Sequence, residues 1–259
     1  MPPSIMGILN ATPDSFASEG APASVEQGLA MIAAGADILD IGGESTRPGA
    51  EPVPPAEEQR RVLPLIAALA GRGAAISIDT RNASTMAAAF DAGATIANDV
   101  SGLTYDPAAA PLVAAHGCRV VVMHSRGTPA TMQQLTHYDD LITNVRDELA
   151  ARVALAEEAG ISRANIIVDV GFGFAKTAEQ SLTLLRRLGE FRALGLPILV
   201  GVSRKSFIGR IGAEPDPRRR MAGSIAAALF ALQQGADILR VHDVPATVQA
   251  VRVWRGLGA

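Results

Sequence analysis

Scarcity of cysteine, aromatic rings and basic charge narrows the classes of protein to which this chain can belong. Cys118 is the single cysteine among 259 residues, so no internal disulfide can form. Aromatic residues make up only 4% of the chain and the formal net charge is −3. A chain of this kind lacks the stacking rings and the basic surplus that nucleic-acid binding requires. We therefore expect no nucleic-acid partner.

Long apolar runs are also missing. The longest stretches, such as residues 225–232, are well short of the roughly 18 residues that a membrane span needs. The first residues, MPPSIMGILNATPDSF, have neither the charged segment nor the apolar run of an export signal. We expect a soluble, cytoplasmic protein with no membrane partner.

What the sequence does contain is a repeated unit. Seven times a helix-like segment reaches a glycine, a short apolar run follows, and a polar cluster comes next. The repeats cover residues 33–46, 71–82, 91–102, 115–127, 158–171, 193–205 and 233–244. The glycine suits the positive φ just past a helix end, and the apolar run suits a parallel strand buried on both faces. Each unit therefore predicts a helix followed by a strand.

The first apolar run, residues 4–10, raises the number of predicted strands to eight. Eight strands alternating with helices over about 250 residues are typical of a (β/α)₈ TIM barrel of the α/β class. An open doubly wound sheet has the same alternation, but no G-x-G-x-x-G follows the first strand. No linker or shift in composition divides the chain, so we predict one domain over residues 1–259.

Polar residues follow almost every predicted strand, whereas the opposite strand ends are mostly Gly, Ala and Pro. In a barrel these carboxyl ends share one mouth, where the chemistry of such folds is found. The polar residues are Asn10, Glu44, Thr46, Arg47, Asp79, Arg81, Asn98, Asp99, His124, Arg126, Asp169, Ser203, Arg204, Lys205, Arg240, His242 and Asp243. We therefore expect a ligand-binding mouth.

The types of side chain in this set indicate the ligand. Asp79, Asp169, Asn98 and Lys205 can bind a flat heterocycle that has donors and acceptors along one edge. A second group suits a phosphate or diphosphate with a hydrated divalent metal. This group consists of Asn10, Arg47, Arg240 and His242. Two alternatives stay open at this point: Asp169 can belong to a structural salt bridge, and a lysine at the position of Lys205 can form a Schiff base.

Seven segments, in order and across the whole chain, resemble those of the dihydropteroate synthase family. They are NATPDSF (10–16), GGESTRPGA (42–50), SIDT (77–80), NDVSG (98–102), DVGFGFAK (169–176), GVSRKSFIG (201–209) and RVHDV (240–244). The resemblance implies a barrel that joins 6-hydroxymethyl-7,8-dihydropterin diphosphate to p-aminobenzoate and releases diphosphate. It also implies Mg²⁺ as a cofactor and a homodimer formed through late helices.

The resemblance implies a role for each matching residue. The pterin would contact Asp79, Asn98, Met123, Asp169, Phe172, Lys205 and Arg240. The diphosphate would contact Asn10, Thr46, Arg47, Arg240 and His242, and Asn10 would also contact Mg²⁺. The p-aminobenzoate would contact Phe16, Thr46, Pro48, Ser203 and Ser206. Among these, Asp79, Asp169, Lys205 and Arg47 are the expected catalytic residues.

The chain departs from the family pattern in a few places. Residues 17–20 read ASEG instead of Ser-Asp-Gly-Gly, Val170 and Ala175 stand where Pro and Gly are usual, and MHSRG (123–127) replaces Met-His-Met-Gln-Gly. Two other functions stay open: a pterin-binding methyltransferase acting with a corrinoid protein, and a pterin-binding homologue without activity. The ESTRPGA and RVH segments disfavour the first, and Arg47, Lys205 and His242 disfavour the second.

Overall fold

The computed structural model describes residues 2–12, 23–45 and 50–258. Its eight strands are parallel and form one closed barrel in the order of the sequence. The strands are β1 Ser4–Asn10, β2 Ile38–Gly42, β3 Ala75–Asp79, β4 Ile96–Asp99, β5 Arg119–Met123, β6 Ile166–Asp169, β7 Ile198–Val200 and β8 Ile238–Val241. Because β1 also pairs with β8, the predicted TIM barrel is confirmed and the open sheet is wrong.

Helices follow the strands and surround the barrel. They are α1 Val25–Ala34, α2 Pro55–Leu69, α3 Ala83–Asp91, α4 Ala109–His116, α5 Leu141–Glu158, α6 Ala178–Arg186, α7 Ser206–Ile211, α8 Met221–Gln233 and α9 Val244–Gly256. The Pro/Arg-rich patch at 214–220 lies between α7 and α8. In the part of the chain that the structure describes, no helix combines the length and apolar character of a membrane span.

The glycines of the sequence repeat take the predicted backbone conformation. All seven, at positions 35, 73, 93, 117, 160, 195 and 235, have φ between 63° and 110°. These are left-handed conformations in which a Cβ is unfavourable. Each glycine lets the chain leave a helix and enter the next strand.

Along four of the strands, the side chains that point into the barrel change from apolar to polar within two residues. The lower layer is an apolar cluster that includes Ile38, Ile96, Ile167 and Ile238. Residues i and i+2 of a strand point to the same side. The residues two positions further along these strands are Asp40, Asn98, Asp169 and Arg240. The carboxyl end of the barrel is therefore lined with buried polar groups.

The turn after β6 brings the chain unusually close to β5. Gly171 has φ 69°, and a Cβ built there would lie 1.9 Å from the carbonyl oxygen of His124. Ala175, four residues later, has φ 50°, which costs a non-glycine residue about 1–2 kcal/mol. Tyr138 Oη donates to the Ala175 carbonyl at 3.0 Å. The departure at Ala175 thus leaves a strained residue in a turn that is hydrogen-bonded to its neighbours.

We expect Gly171→Ala to lower the free energy of unfolding by more than about 3 kcal/mol, since backbone strain adds to a collision with backbone atoms. Gly117→Ala is the matched control, because Gly117 also has positive φ but no atom lies within 4 Å of a Cβ there. The control should lose only about 1–2 kcal/mol. Urea denaturation of both variants measures the difference, and equal losses would contradict the close approach at Gly171.

Candidate active site

Arg240 links three strands at the carboxyl end of the barrel. From β8, its Nε donates to Asp40 Oδ2 and its Nη2 to Asp79 Oδ2, both at 2.6 Å. Asn98 on β4 also donates to Asp40 Oδ2, at 3.0 Å. Asp40 is fully buried and is absent from the residues predicted from sequence. The sequence feature that could have predicted Asp40 is its position two residues after Ile38, whose side chain points into the barrel.

Two oxygens of this network lack a hydrogen-bond partner among the described residues. Asp40 Oδ1 and Asp79 Oδ1 are buried and make no hydrogen bond within the described part of the chain. Burial raises the pKa of Asp79 to about 7, with Arg240 opposing this shift and Asp40 adding to it. A buried acceptor without a donor is costly. A ligand that carries N–H groups could supply the missing donors.

Asp169 and Lys205 form the opposite part of the mouth. Asp169 Oδ1 accepts from the Gly171 N–H at 2.7 Å. A Cβ at Gly201 would lie 3.9 Å from both Asp169 Oδ2 and Arg240, so those two side chains border the same space. Burial raises the pKa of Asp169 and lowers the pKa of Lys205 to about 8, and each residue opposes the shift of the other. The two groups are therefore electrostatically coupled.

The turn after β6 holds the Lys205 side chain. Lys205 Nζ donates to the carbonyl oxygen of Phe172 and lies 4.8 Å from the ring centroid of Phe174. The Phe172 ring is fully buried and stacks on Phe207 of α7, with 6.3 Å between centroids. Its predicted role as a wall of the pocket stays a prediction, and Phe174, which was not predicted, is the ring beside Lys205. Met123 ends β5 and is 4% exposed.

His242 and Ser203 lie together at the ends of β8 and β7. Ser203 Oγ accepts from the His242 backbone N–H at 3.2 Å and lies 3.0 Å from His242 Nδ1. When the hydroxyl donates to Nδ1, the imidazole proton is on Nε2, which suits donation to an anion. Ser206 begins α7 and is exposed. The p-aminobenzoate roles predicted for both serines stay predictions.

Some polar strand ends do not join this cluster. Asp99 accepts from the backbone N–H groups of Ser101 and Leu103 and so builds a turn. His124 is fully buried, against Lys176 and Glu148, and Arg126 pairs with the same glutamate. These contacts tie Asp99, His124 and Arg126 to neighbouring segments, and their expected place in the mouth stays a prediction. Strand position alone does not show which way a residue at a strand end turns.

Glu44 and Arg81 form a pair at the rim, with 2.8 Å between Oε1 and Nη2. The Arg81 guanidinium lies 4.2 Å from the centroid of the Tyr105 ring. Four predicted contacts fall outside the described residues: Phe16, Thr46, Arg47 and Pro48. The same is true of the altered segment at 17–20.

Comparison with known proteins gives consistent matches over nearly the whole chain. A family model described as pterin binding enzyme matches residues 6–242. A dihydropteroate synthase from Synechocystis sp. is 49% identical, and the match covers 97% of this chain and 90% of that protein. A solved dihydropteroate synthase from Xanthomonas albilineans with 4-aminobenzoic acid is 45% identical, with a TM-score of 0.92 and coverage of 99% of this chain and 93% of that one. Another from that organism, in complex with 7,8-dihydropteroate, is 41% identical, with a TM-score of 0.87 and the same coverage.

The extent of the family match places the chain among the pterin-binding enzymes. With identities of 41–49% to these relatives over nearly its full length, it belongs to the dihydropteroate synthase family, which consists of transferases of folate biosynthesis.

Proposed function

We propose that this chain joins 6-hydroxymethyl-7,8-dihydropterin diphosphate to p-aminobenzoate, giving 7,8-dihydropteroate and diphosphate. The observation that carries the proposal is the set of acceptors in the mouth, where Asp79 and Asp40 each keep one buried oxygen without a hydrogen bond in the described chain. A pterin edge presents the ring N–H and amino donors that such carboxylates accept. The relatives are named as synthases, which favours this function over a corrinoid-dependent methyltransferase.

The mouth separates recognition of the ring from recognition of the anion. Asp79, Asn98, Asp169 and Lys205 would bind the pterin through hydrogen bonds. Arg240 uses Nε and Nη2 for its two carboxylates, and Nη1 makes no other bond in the described residues. Arg240 and His242 would place positive charge and an N–H donor at the diphosphate, where negative charge develops as the carbon–oxygen bond breaks.

Mg²⁺ fits the site as an ion held mainly by the substrate. In the part of the chain that is described, no group of three or more His, Cys, Asp or Glu side chains could hold a metal ion. Asn10 ends β1 and is partly exposed. A single amide oxygen is enough for an ion that keeps waters and phosphate oxygens as its other ligands. We propose that Asn10 supplies this ligand and that the bound ion neutralises charge on the diphosphate.

The first test is synthesis itself. Purified protein with pterin diphosphate, p-aminobenzoate and Mg²⁺ should release diphosphate in proportion to 7,8-dihydropteroate, measured by a coupled assay and mass spectrometry. Both products should require both substrates, and chelation of Mg²⁺ should lower the rate. An Arg60→Ala variant, changed on the exposed surface of α2, is the control for purification and should match the unaltered chain. Diphosphate release without the arylamine product would overturn the proposed reaction.

The second test separates the two halves of the mouth by calorimetry. Asp169→Asn should weaken both the pterin diphosphate and a pterin that lacks phosphates, by roughly 2–4 kcal/mol, because an acceptor becomes a donor. His242→Ala should weaken only the diphosphate ester, since it contacts the anion alone. If His242→Ala weakened both ligands equally, His242 would lie outside the diphosphate site.

We propose a homodimer formed through α7 and α8. An apolar groove between α6, α7 and α8 is lined by Leu185, Phe207, Ile208, Ile211 and Phe230, among other residues. Ile211 is 62% exposed and Phe230 is 38% exposed. A second copy of the chain would cover this surface, as expected for an interface centred on apolar residues.

Light scattering should give twice the chain mass, and Phe230→Glu should give the monomer, because a charge in the interface would be desolvated. Leu155→Glu is the matched control, since Leu155 is 58% exposed on α5, is not among the residues that line the groove, and should leave the dimer intact. A monomeric unaltered chain would refute the dimer.

We also place the protein in the cytoplasm, as expected for a chain with one free cysteine and no disulfide. Cell fractionation with an antibody measures this.

A further inference from the structure

Lys176 is a buried lysine outside the group of residues proposed to bind substrate. It is 3% exposed and follows the turn after β6. Its Nζ lies within hydrogen-bonding distance of three acceptors: His124 Nδ1 at 2.8 Å, Phe174 O at 2.9 Å and Gly171 O at 3.0 Å. Burial lowers the pKa of Lys176 well below its ordinary value, and Asp169 opposes this shift. Burying a lysine amine carries a desolvation cost, and the hydrogen bonds to these three acceptors offset part of that cost.

The partners of Lys176 are arranged to accept hydrogen bonds from it. His124 Nε2 lies 3.0 Å from Glu148 Oε2, and the Glu148 carboxylate is also paired with Arg126. Hydrogen bonds from His124 and Arg126 hold the pKa of Glu148 well below its usual range, so Glu148 accepts and His124 Nε2 donates. Burial lowers the pKa of His124 to about 4, which leaves the ring neutral and Nδ1 without a proton. Three acceptors therefore surround Lys176 Nζ, and this arrangement favours the ammonium form, which has three N–H donors, against the effect of burial.

The two carbonyls that Lys176 holds lie on either side of Phe172. The carbonyl of Phe172 itself accepts from Lys205, and the N–H of Gly171 donates to Asp169 Oδ1. The side chain of Lys176 thus fixes the backbone segment that positions both Lys205 and Asp169. Its position is set in turn through His124 by Glu148 of α5.

We propose that Lys176 is a positioning residue for pterin recognition, holding the 171–174 turn so that Lys205 and Asp169 meet the ring edge. This inference rests on the proposed function, because it assumes that these two side chains bind the pterin. Lys176 itself touches no substrate. Its effect passes through backbone groups of the turn.

The test compares Lys176→Met, which removes the donors at similar length, with Tyr138→Phe. The second variant is the matched control, because it also removes a side-chain donor to this loop, at the Ala175 carbonyl, but leaves the carbonyls beside Phe172 untouched. We expect Lys176→Met to raise the pterin Kd and the KM for pterin diphosphate about 10- to 100-fold, the loss typical of hydrogen bonds from a charged donor. The KM for p-aminobenzoate, measured at saturating pterin diphosphate, should change less than about twofold. Tyr138→Phe should keep both KM values.

If Lys176→Met does not fold, the milder variant Lys176→Gln can be tested in its place. Lys176→Gln retains an N–H donor without the charge and should show the same selective rise in pterin KM, at smaller size. The inference is overturned if folded variants bind pterin as the unaltered chain does, or if both KM values rise together. Failure of the unaltered chain to bind pterin would instead overturn the proposed function, and this inference with it.

Discussion

The pairing of Arg240 with Asp40 and Asp79 is the interaction on which the mouth of this barrel depends. A closed barrel must fill its interior with side chains, and ionised groups there need partners at hydrogen-bonding distance. Arg240 reaches from β8 to β2 and β3, and Asn98 of β4 joins at the same Asp40 oxygen. Four strands are thereby tied at the layer above the apolar core. Loss of this one guanidinium would leave two carboxylates buried together.

Much of the fold was predictable because its signals are local. The glycine at the end of each helix, the short apolar run and the polar cluster lie within about a dozen residues, and the glycines have the positive φ that such a unit requires. Closure of the sheet followed from the number of strands. The presence of two helices between β7 and β8 was harder to predict from the sequence. The first of them, α7, has only six residues and gives a short periodic pattern.

The site was predictable in part, because side-chain direction at a strand end depends on tertiary contacts. Asp79, Asn98, Asp169 and Arg240 were found from their position after apolar runs, and the structure brings them together. His124 has the same kind of position, but it turns toward Lys176 and Glu148 instead. Asp40 was missed although it lies two residues after an inward-facing isoleucine. Strand periodicity alone would have assigned Asp40 to the interior.

The two sides of the mouth use different means to hold charge in place. On the side of β2, β3 and β8, side chains hold one another, and this leaves Asp40 Oδ1 and Asp79 Oδ1 without donors in the described chain. On the side of β6, backbone groups of a turn hold Asp169 and Lys205, and a buried lysine holds the turn. Unpaired acceptors make the ligand-free mouth costly, so a ligand that supplies donors gains the free energy that the empty site lacks. The fixed turn would hold Asp169 and Lys205 in place for the proposed pterin ring, so that little reorganisation would be needed on binding. Unpaired acceptors on one side of the mouth and a fixed backbone turn on the other would therefore both favour binding of the same ligand.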